Sequence, residues 1–232
     1  MRYRVANRLI EAVLREGQSL NVATTPLAKA RQYAESLIDN LDDVLPNFDT
    51  NYQYLQRMTR DAMPIRRIDM PVIEPTDMDR FKRDLQSGHV DIFQPYAKGR
   101  LEAPTDLGPG REAEEWLTLG VQDGNLKDDV VRARMAMMPV TQLLPTQNQI
   151  WLEKLIGNIA KFGPPTQGSS VTQETVIVSQ EGYILDGHHR FGQAMLANPS
   201  LKLKALFVPM DIRTLLQIGR TYGNAIGNQQ KA

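Results

Sequence analysis

The stretch "GYILDGHHRFGQAMLANP" (182–199) places two of the chain's three histidines beside an aspartate, a glycine and an arginine: Asp186, Gly187, His188, His189 and Arg190. All but the glycine can ionise. Arg190 offers a fork of donors suited to phosphate. Asp186 can hold a divalent metal or accept a proton. His188 and His189 can donate to a phosphoryl group or exchange protons near neutral pH. Gly187 supplies a positive φ or lets a ligand approach the backbone closely. The plainer reading is a "DG" turn joining a strand to a helix, with one histidine as a satisfied cap. Adjacent histidines on a helix point to different sides, and their spacing matches no zinc pattern, so a shared metal is not expected.

The flanking sequence says what holds the cluster. "ETVIVSQEGYILDG" reads as two strands, 175–178 and 183–185, joined by a tight turn at Gln180-Glu181-Gly182. A helix then starts at or near His189, carries Phe191, Ala194, Met195 and Leu196, and stops at "NP". The cluster therefore sits where a strand hands over to a helix. The first amides of a helix lack internal partners and lie at the positive end of its dipole, which makes such a turn an anion site. Upstream, "MAMMPVTQLLPTQ" (135–147) reads as a strand entering a proline turn. "NQIWLEKLIGNIAKFG" reads as a helix with Gly163 as its stop, and "GPPTQGSS" as a loop. "LKALFVPMD" is a further strand and "DIRTLLQIGRTYG" a last helix.

The first half divides differently. Helices are expected over 3–15, over 26–45 from the Thr25-Pro26 start to Pro46, within "NYQYLQRMTRDAM", and over "TDMDRFKRDLQSG" closing at Gly88. Between 64 and 110 prolines and glycines break any long period. That stretch still holds Ile65, Ile68, Val72, Ile73, Phe81, Val90, Ile92 and Phe93, so an ordered, extended segment packed on the rest is expected. His89 reads as a turn residue after Gly88, and Arg66-Arg67 as a solvated face. The organisation expected is a helical region (1–63), an extended connecting segment (64–134) and an α/β domain (135–232), for an overall α/β (α+β) class.

The whole chain narrows the function classes. Its 232 residues carry 27 basic and 27 acidic side chains, so bulk attraction to nucleic acid or anionic membrane is not expected. There is no cysteine, which removes disulfides, thiolate zinc sites and cysteine nucleophiles. The opening "MRYRVANRLIEAVLREG" is charged every few residues and has no apolar run of signal or membrane length. A soluble, cytoplasmic protein is expected, or one of the host cytoplasm or virion if a phage encodes it.

The succession "PVTQLLPTQ", "IWLEKLIGNIAKFG", "TVIVSQEGYILDGHHRFGQAM" and "LKALFVPMD" resembles the ParB/sulfiredoxin superfamily, also called the ParB-like nuclease domain, over about residues 135–216. The "DGHHR" form looks most like its free-serine-kinase branch. The resemblance implies a small mixed sheet with helices whose strand-to-helix turn binds the phosphates of ATP, ADP or CTP with Mg²⁺. Residues carried over by it are Asp186 for metal or phosphate placement, His188 and His189 at the transferring phosphoryl group, and Gly187, Arg190 and Gln147 at nucleotide or phosphate.

Departures shape the expectation. Sulfiredoxin's cysteine has no counterpart, so its reaction is excluded. Where the kinase branch places an acidic base, this chain has Gln147, an amide that cannot take a proton; either another carboxylate such as Glu153 or Glu174 substitutes, or the acceptor is different, or the domain binds nucleotide without kinase chemistry. Partition proteins carry a DNA reader after this domain, whereas the residues after the final strand, ending "IGRTYGNAIGNQQKA", leave no room for one. DNA is thus allowed as a partner but not favoured by charge. A nuclease would need a metal cluster that the sequence does not assemble around Asp186. The expected function is nucleotide binding with Mg²⁺-dependent phosphoryl transfer or nucleotide hydrolysis, kinase-like in type, with the phosphate acceptor open. The alternative is a non-enzymatic, partition-like or virion-associated assembly protein that keeps the domain as a binding module. Homo-oligomers or larger assemblies suit either.

Overall fold

The computed structural model describes residues 20–88 and 129–228. The helix expected over 3–15, His89, the apolar residues Val90, Ile92 and Phe93, and the segment leading into the first strand lie outside the described residues. The fold is α/β, with one mixed five-stranded sheet among the described residues.

The first helix among the described residues is α1 (Leu27–Leu37), which starts directly after Thr25-Pro26. The single helix expected over 26–45 is two helices, because Ile38 turns extended and Asn40 adopts φ 53°, ψ 57°. Asparagine tolerates this left-handed conformation better than most residues. The break lets Ile38, Leu41 and Leu45 all face inward, with α2 spanning Leu41–Val44. Helix α3 (Phe48–Arg60) begins three residues earlier than "NYQYLQRM" suggested and buries Phe48, Tyr52 and Leu55. It also buries polar side chains with partners: Tyr52 Oη donates to Thr25 O at 2.7 Å and Gln56 Nε2 to Val22 O at 3.0 Å. Two 3₁₀ turns, Arg67–Asp69 and Pro75–Asp77, lead to α4 (Met78–Ser87), which Gly88 closes at φ 71°. Ile65 is half-buried and Ile73 and Phe81 are buried, whereas Ile68 is 45% exposed and does not pack as expected.

The strand read over 135–147 is two strands. β1 (Arg134–Pro139) and β2 (Leu144–Pro145) are separated by a 3₁₀ turn at Val140–Gln142. Helix α5 (Leu152–Phe162), the short α6 (Ser170–Gln173), β3 (Val176–Val178), β4 (Tyr183–Asp186), α7 (His188–Ala197), β5 (Lys202–Phe207) and α8 (Ile212–Ala225) follow. The strand order is β1-β5-β3-β4-β2, so the two halves of the expected strand occupy opposite edges. β1 pairs antiparallel with β5, β5 parallel with β3, β3 antiparallel with β4, and β4 parallel with β2.

Period-2 alternation divides two cores across this sheet. Val176, Val178, Ile184, Leu203 and Ala205 join α1, α3, α5 and α7 in one cluster. Ile177, Leu185 and Leu206 join α4 and α8 in the other. Such near-continuous apolar strands are what a sheet covered on both faces requires. The helices of residues 27–60 thus share a core with α5 and α7, and Asn51 Nδ2 donates to Leu196 O at 2.9 Å, satisfying a carbonyl at the C-terminal end of α7. Among the described residues no helix is long and apolar enough to cross a membrane.

Candidate functional site

β4 ends at Asp186 and α7 begins at His188, so Gly187 alone turns the chain, at φ 106° and ψ 18°. A Cβ at Gly187 would lie 2.3 Å from Val176 Cγ1 and 2.9 Å from Val176 Cβ. Backbone conformation and space both demand glycine.

Because β2 runs parallel to β4, with Pro145 opposite Ile184, Thr146 and Gln147 emerge at the same end of the sheet as the DGHHR turn. His188 ties the two together. Its Nε2 accepts from the amides of Thr146 at 3.1 Å and Gln147 at 3.2 Å, and lies 2.9 Å from Thr146 Oγ1. An amide can only donate, so the network assigns the imidazole proton to Nδ1. His189 repeats the arrangement, its Nε2 accepting from Trp151 N at 3.3 Å. Burial pushes both imidazoles down to about 3, helped at His188 by His189 and Arg67 and at His189 by Arg67 and Lys154. Both are therefore neutral around pH 7, with Nδ1–H as what they can offer a ligand. The neighbouring histidines meet different partners, His188 the amides of Thr146 and Gln147 and His189 that of Trp151, all within the segment 146–151.

Arg190 is 13% exposed in its side chain and paired with two carboxylates: Nη2 contacts Asp186 Oδ2 at 2.8 Å and Nη1 contacts Glu174 Oε2 at 3.0 Å. Glu174, one of the two carboxylates considered as a substitute base, is thus half of an ion pair. Glu153, the other, accepts from Leu20 N at the start of α5 and is not among the residues lining the cleft described below. Gln147 is buried, and its Nε2 donates to Gln149 O. Burial raises the Asp186 carboxyl above its ordinary range; Arg190 and the Gly187 amide pull the other way, and Glu74 adds to the rise. About a third of the Asp186 side chain, 34%, remains accessible to solvent.

The DGHHR residues and Gln147 form one side of a cleft of about 290 Å³ whose other side is the segment 67–75. The last helix holds that wall in place. A Cβ on Gly219 would stand 3.0 Å from Pro71 Cγ, and one on Gly223 2.7 Å from Val72 O. Arg220 Nε donates to Asp69 O, and Asn228 Nδ2 to Val72 O at 2.9 Å. Replacing Gly223 with alanine is expected to displace Val72 and cost about 1–3 kcal/mol, as overpacking against fixed backbone does. Urea denaturation of the variant measures it, and an unchanged midpoint would show that the wall yields freely.

The two adjacent arginines, expected on a solvated face, part company. Arg66 is exposed and paired with Asp69 at 2.8 Å. Arg67 lines the cleft, as does Glu74. Nothing in the spacing of the sequence distinguishes Arg66 from Arg67. The distinction comes from the bridge between Ile65 and Gln147 and from the Arg67 amide, which donates to Gln149 Oε1 at 2.8 Å. Among the described residues no group of three or more His, Asp or Glu side chains is arranged to hold a metal ion.

Comparison with known proteins finds no family model, no curated protein and no solved structure that matches the chain, so what the site does must be argued from these residues and their geometry.

Proposed function

We propose that the cleft binds the phosphates of a nucleotide, in the manner of the ParB/sulfiredoxin type, and that its chemistry is Mg²⁺-dependent phosphoryl transfer or nucleotide hydrolysis. The observation that carries this reading is one of placement. The start of α7, Gly187, Asp186 and two arginines line a single cleft at the carboxyl ends of two parallel strands. Ligands bind at that end of α/β sheets, and unpaired amides of a helix's first turn favour phosphate there. A volume of about 290 Å³ is small for a whole nucleotide, so the phosphates enter and the base remains outside.

A divalent cation would arrive with the ligand. Mg²⁺ takes one or two carboxylates and fills its shell from phosphates and water. Asp186 and Glu74 are the carboxylates in the cleft that fit this role. The ion would supply charge neutralisation at the phosphates. Asp186, raised by burial, is also the carboxylate placed to receive an acceptor's proton. The histidines contribute neutral donors and a fixed turn rather than bases, since main-chain amides occupy both Nε2 atoms.

That occupancy favours a second reading, in which the domain binds nucleotide without turning it over and serves as a module within an assembly. Isothermal titration with ADP, ATP and CTP, each with Mg²⁺, tests the shared claim, and phosphate release tests the chemistry. Binding with turnover that Asp186→Asn reduces at least a hundredfold supports the enzyme. Binding without turnover supports the module. If none of the three nucleotides binds, the phosphate reading fails.

A further inference from the structure

Resting on the reading of the cleft as a phosphate site, we infer that its anion-capturing residue is Arg67, reaching from the facing wall, and that Arg190 positions Asp186 instead of gripping the ligand. Each arginine's engagement in the folded protein decides the assignment. Arg190 is already paired with two carboxylates, Asp186 and Glu174, at 2.8 and 3.0 Å. An incoming phosphate would have to compete with these two carboxylates for the guanidinium, and the partly buried pair with Asp186 is costly to break.

Arg67 stands differently. Its main chain is fixed, by the amide bond to Gln149 Oε1 and by the carbonyl that accepts from Met70 N at 3.2 Å. Its side chain is half-buried and lines the cleft, and among the described residues its guanidinium has no carboxylate partner. The contrast with Arg66, neutralised by Asp69 and turned outward, is complete within one peptide unit. Arg67 is also close enough to His188 and His189 for its charge to disfavour their protonation. Glu74 acts in the same electrostatic way on Asp186. The cleft therefore carries one cation free of a carboxylate partner among the described residues, Arg67, together with two neutral imidazoles, and two carboxylates, Asp186 and Glu74. A phosphate carrying a divalent cation matches both, with the phosphate oxygens on the guanidinium fork.

Titration calorimetry of the full chain with Mg²⁺·ADP, Mg²⁺·ATP and Mg²⁺·CTP separates this claim from the one beneath it. Arg67→Ala is expected to weaken the nucleotide that binds the wild type by at least tenfold, and Arg67→Lys by less, because the charge survives and the fork does not. Arg66→Ala, next door and outward, should bind as wild type does. The melting temperature of Arg67→Ala should stay close to wild type, since the bonds that fix this residue are main-chain. Wild-type binding that Arg67→Ala leaves intact overturns the assignment of Arg67 while the phosphate site stands. Equal loss in Arg66→Ala and Arg67→Ala overturns it too, as that reports only general surface charge. A wild type that binds none of the three overturns the phosphate site and this assignment together.

Discussion

Lowering the pH from 7 to 5 is expected to cost the folded protein about 4 kcal/mol, about 2 from each of His188 and His189. Both imidazoles sit at about 3 in the folded chain, below their ordinary 6.5. Between those values the unfolded chain binds protons that the folded chain refuses. Stability is therefore full above 6.5 and is lost progressively as the pH falls toward 3. At pH 5 the folded histidines are still neutral, so the loss down to that point depends on the unfolded value more than on how deep the depression goes. Asp186 works in the opposite direction: its raised carboxyl takes up a proton in the folded chain first and so gains stability as the pH falls.

Variants isolate the histidine contribution. His188→Gln can keep an acceptor for the Thr146 and Gln147 amides while removing the titration, so it should lose roughly half of the stability change between pH 7 and 5. His188→Ala leaves two buried amides and a cavity, and is expected to cost about 3–5 kcal/mol at pH 7. Urea denaturation at the two pH values reads all of these. A wild type equally stable at pH 7 and 5, or a His188→Gln protein with the full wild-type pH dependence, would sink the account of His188 as a buried neutral acceptor.

What could be read from the sequence, and what could not, follows from how far apart the interacting residues are. The turn at Gly187, the hairpin at Gln180-Glu181-Gly182, the stops at Gly88 and Gly163 and the helix after "DG" all depend on neighbours within a few positions, and local chemistry predicts them. The histidines' real partners, Thr146, Gln147 and Trp151, lie about forty positions away, at separations of 42, 41 and 38, and only the parallel pairing of β2 with β4 brings them there. Pairing also decides why one expected strand became two edge strands, since Val140–Gln142 offers no strong break signal of its own. The roles of Asn51 and Gln56 were hidden for a related reason: a buried amide is recognisable only once its acceptors, Leu196 O and Val22 O, are known. Arg67 looks like Arg66 in sequence, and the bridge at Ile65 together with the Arg67 amide's bond to Gln149 separates the two.

Gly187→Ala is expected to destabilise the fold by about 2–5 kcal/mol, combining about 1–2 kcal/mol for an L-residue held in the left-handed region with about 1–3 for overpacking. For a chain of this size that corresponds to a fall in melting temperature of roughly 10 °C. Most of the steric part comes from Val176, whose Cγ1 and Cβ lie 2.3 and 2.9 Å from the new methyl, with Arg190 Nη2 next at 3.2 Å. Val176→Ala removes Cγ1 and retains Cβ, so it relieves only some of the clash. By itself it should destabilise, since Val176 is fully buried between β5 and α7. Introduced together with Gly187→Ala it should cost much less, with a coupling of about 1–2 kcal/mol between the two sites. Strict additivity of the two changes would mean that Val176 has room to move aside and that strain in the backbone accounts for the whole effect. Coupling of the expected size would establish that β3 packs directly under the turn, so that the position of Gly187 at the cleft is set by a valine facing the core and by the absence of a side chain to displace it.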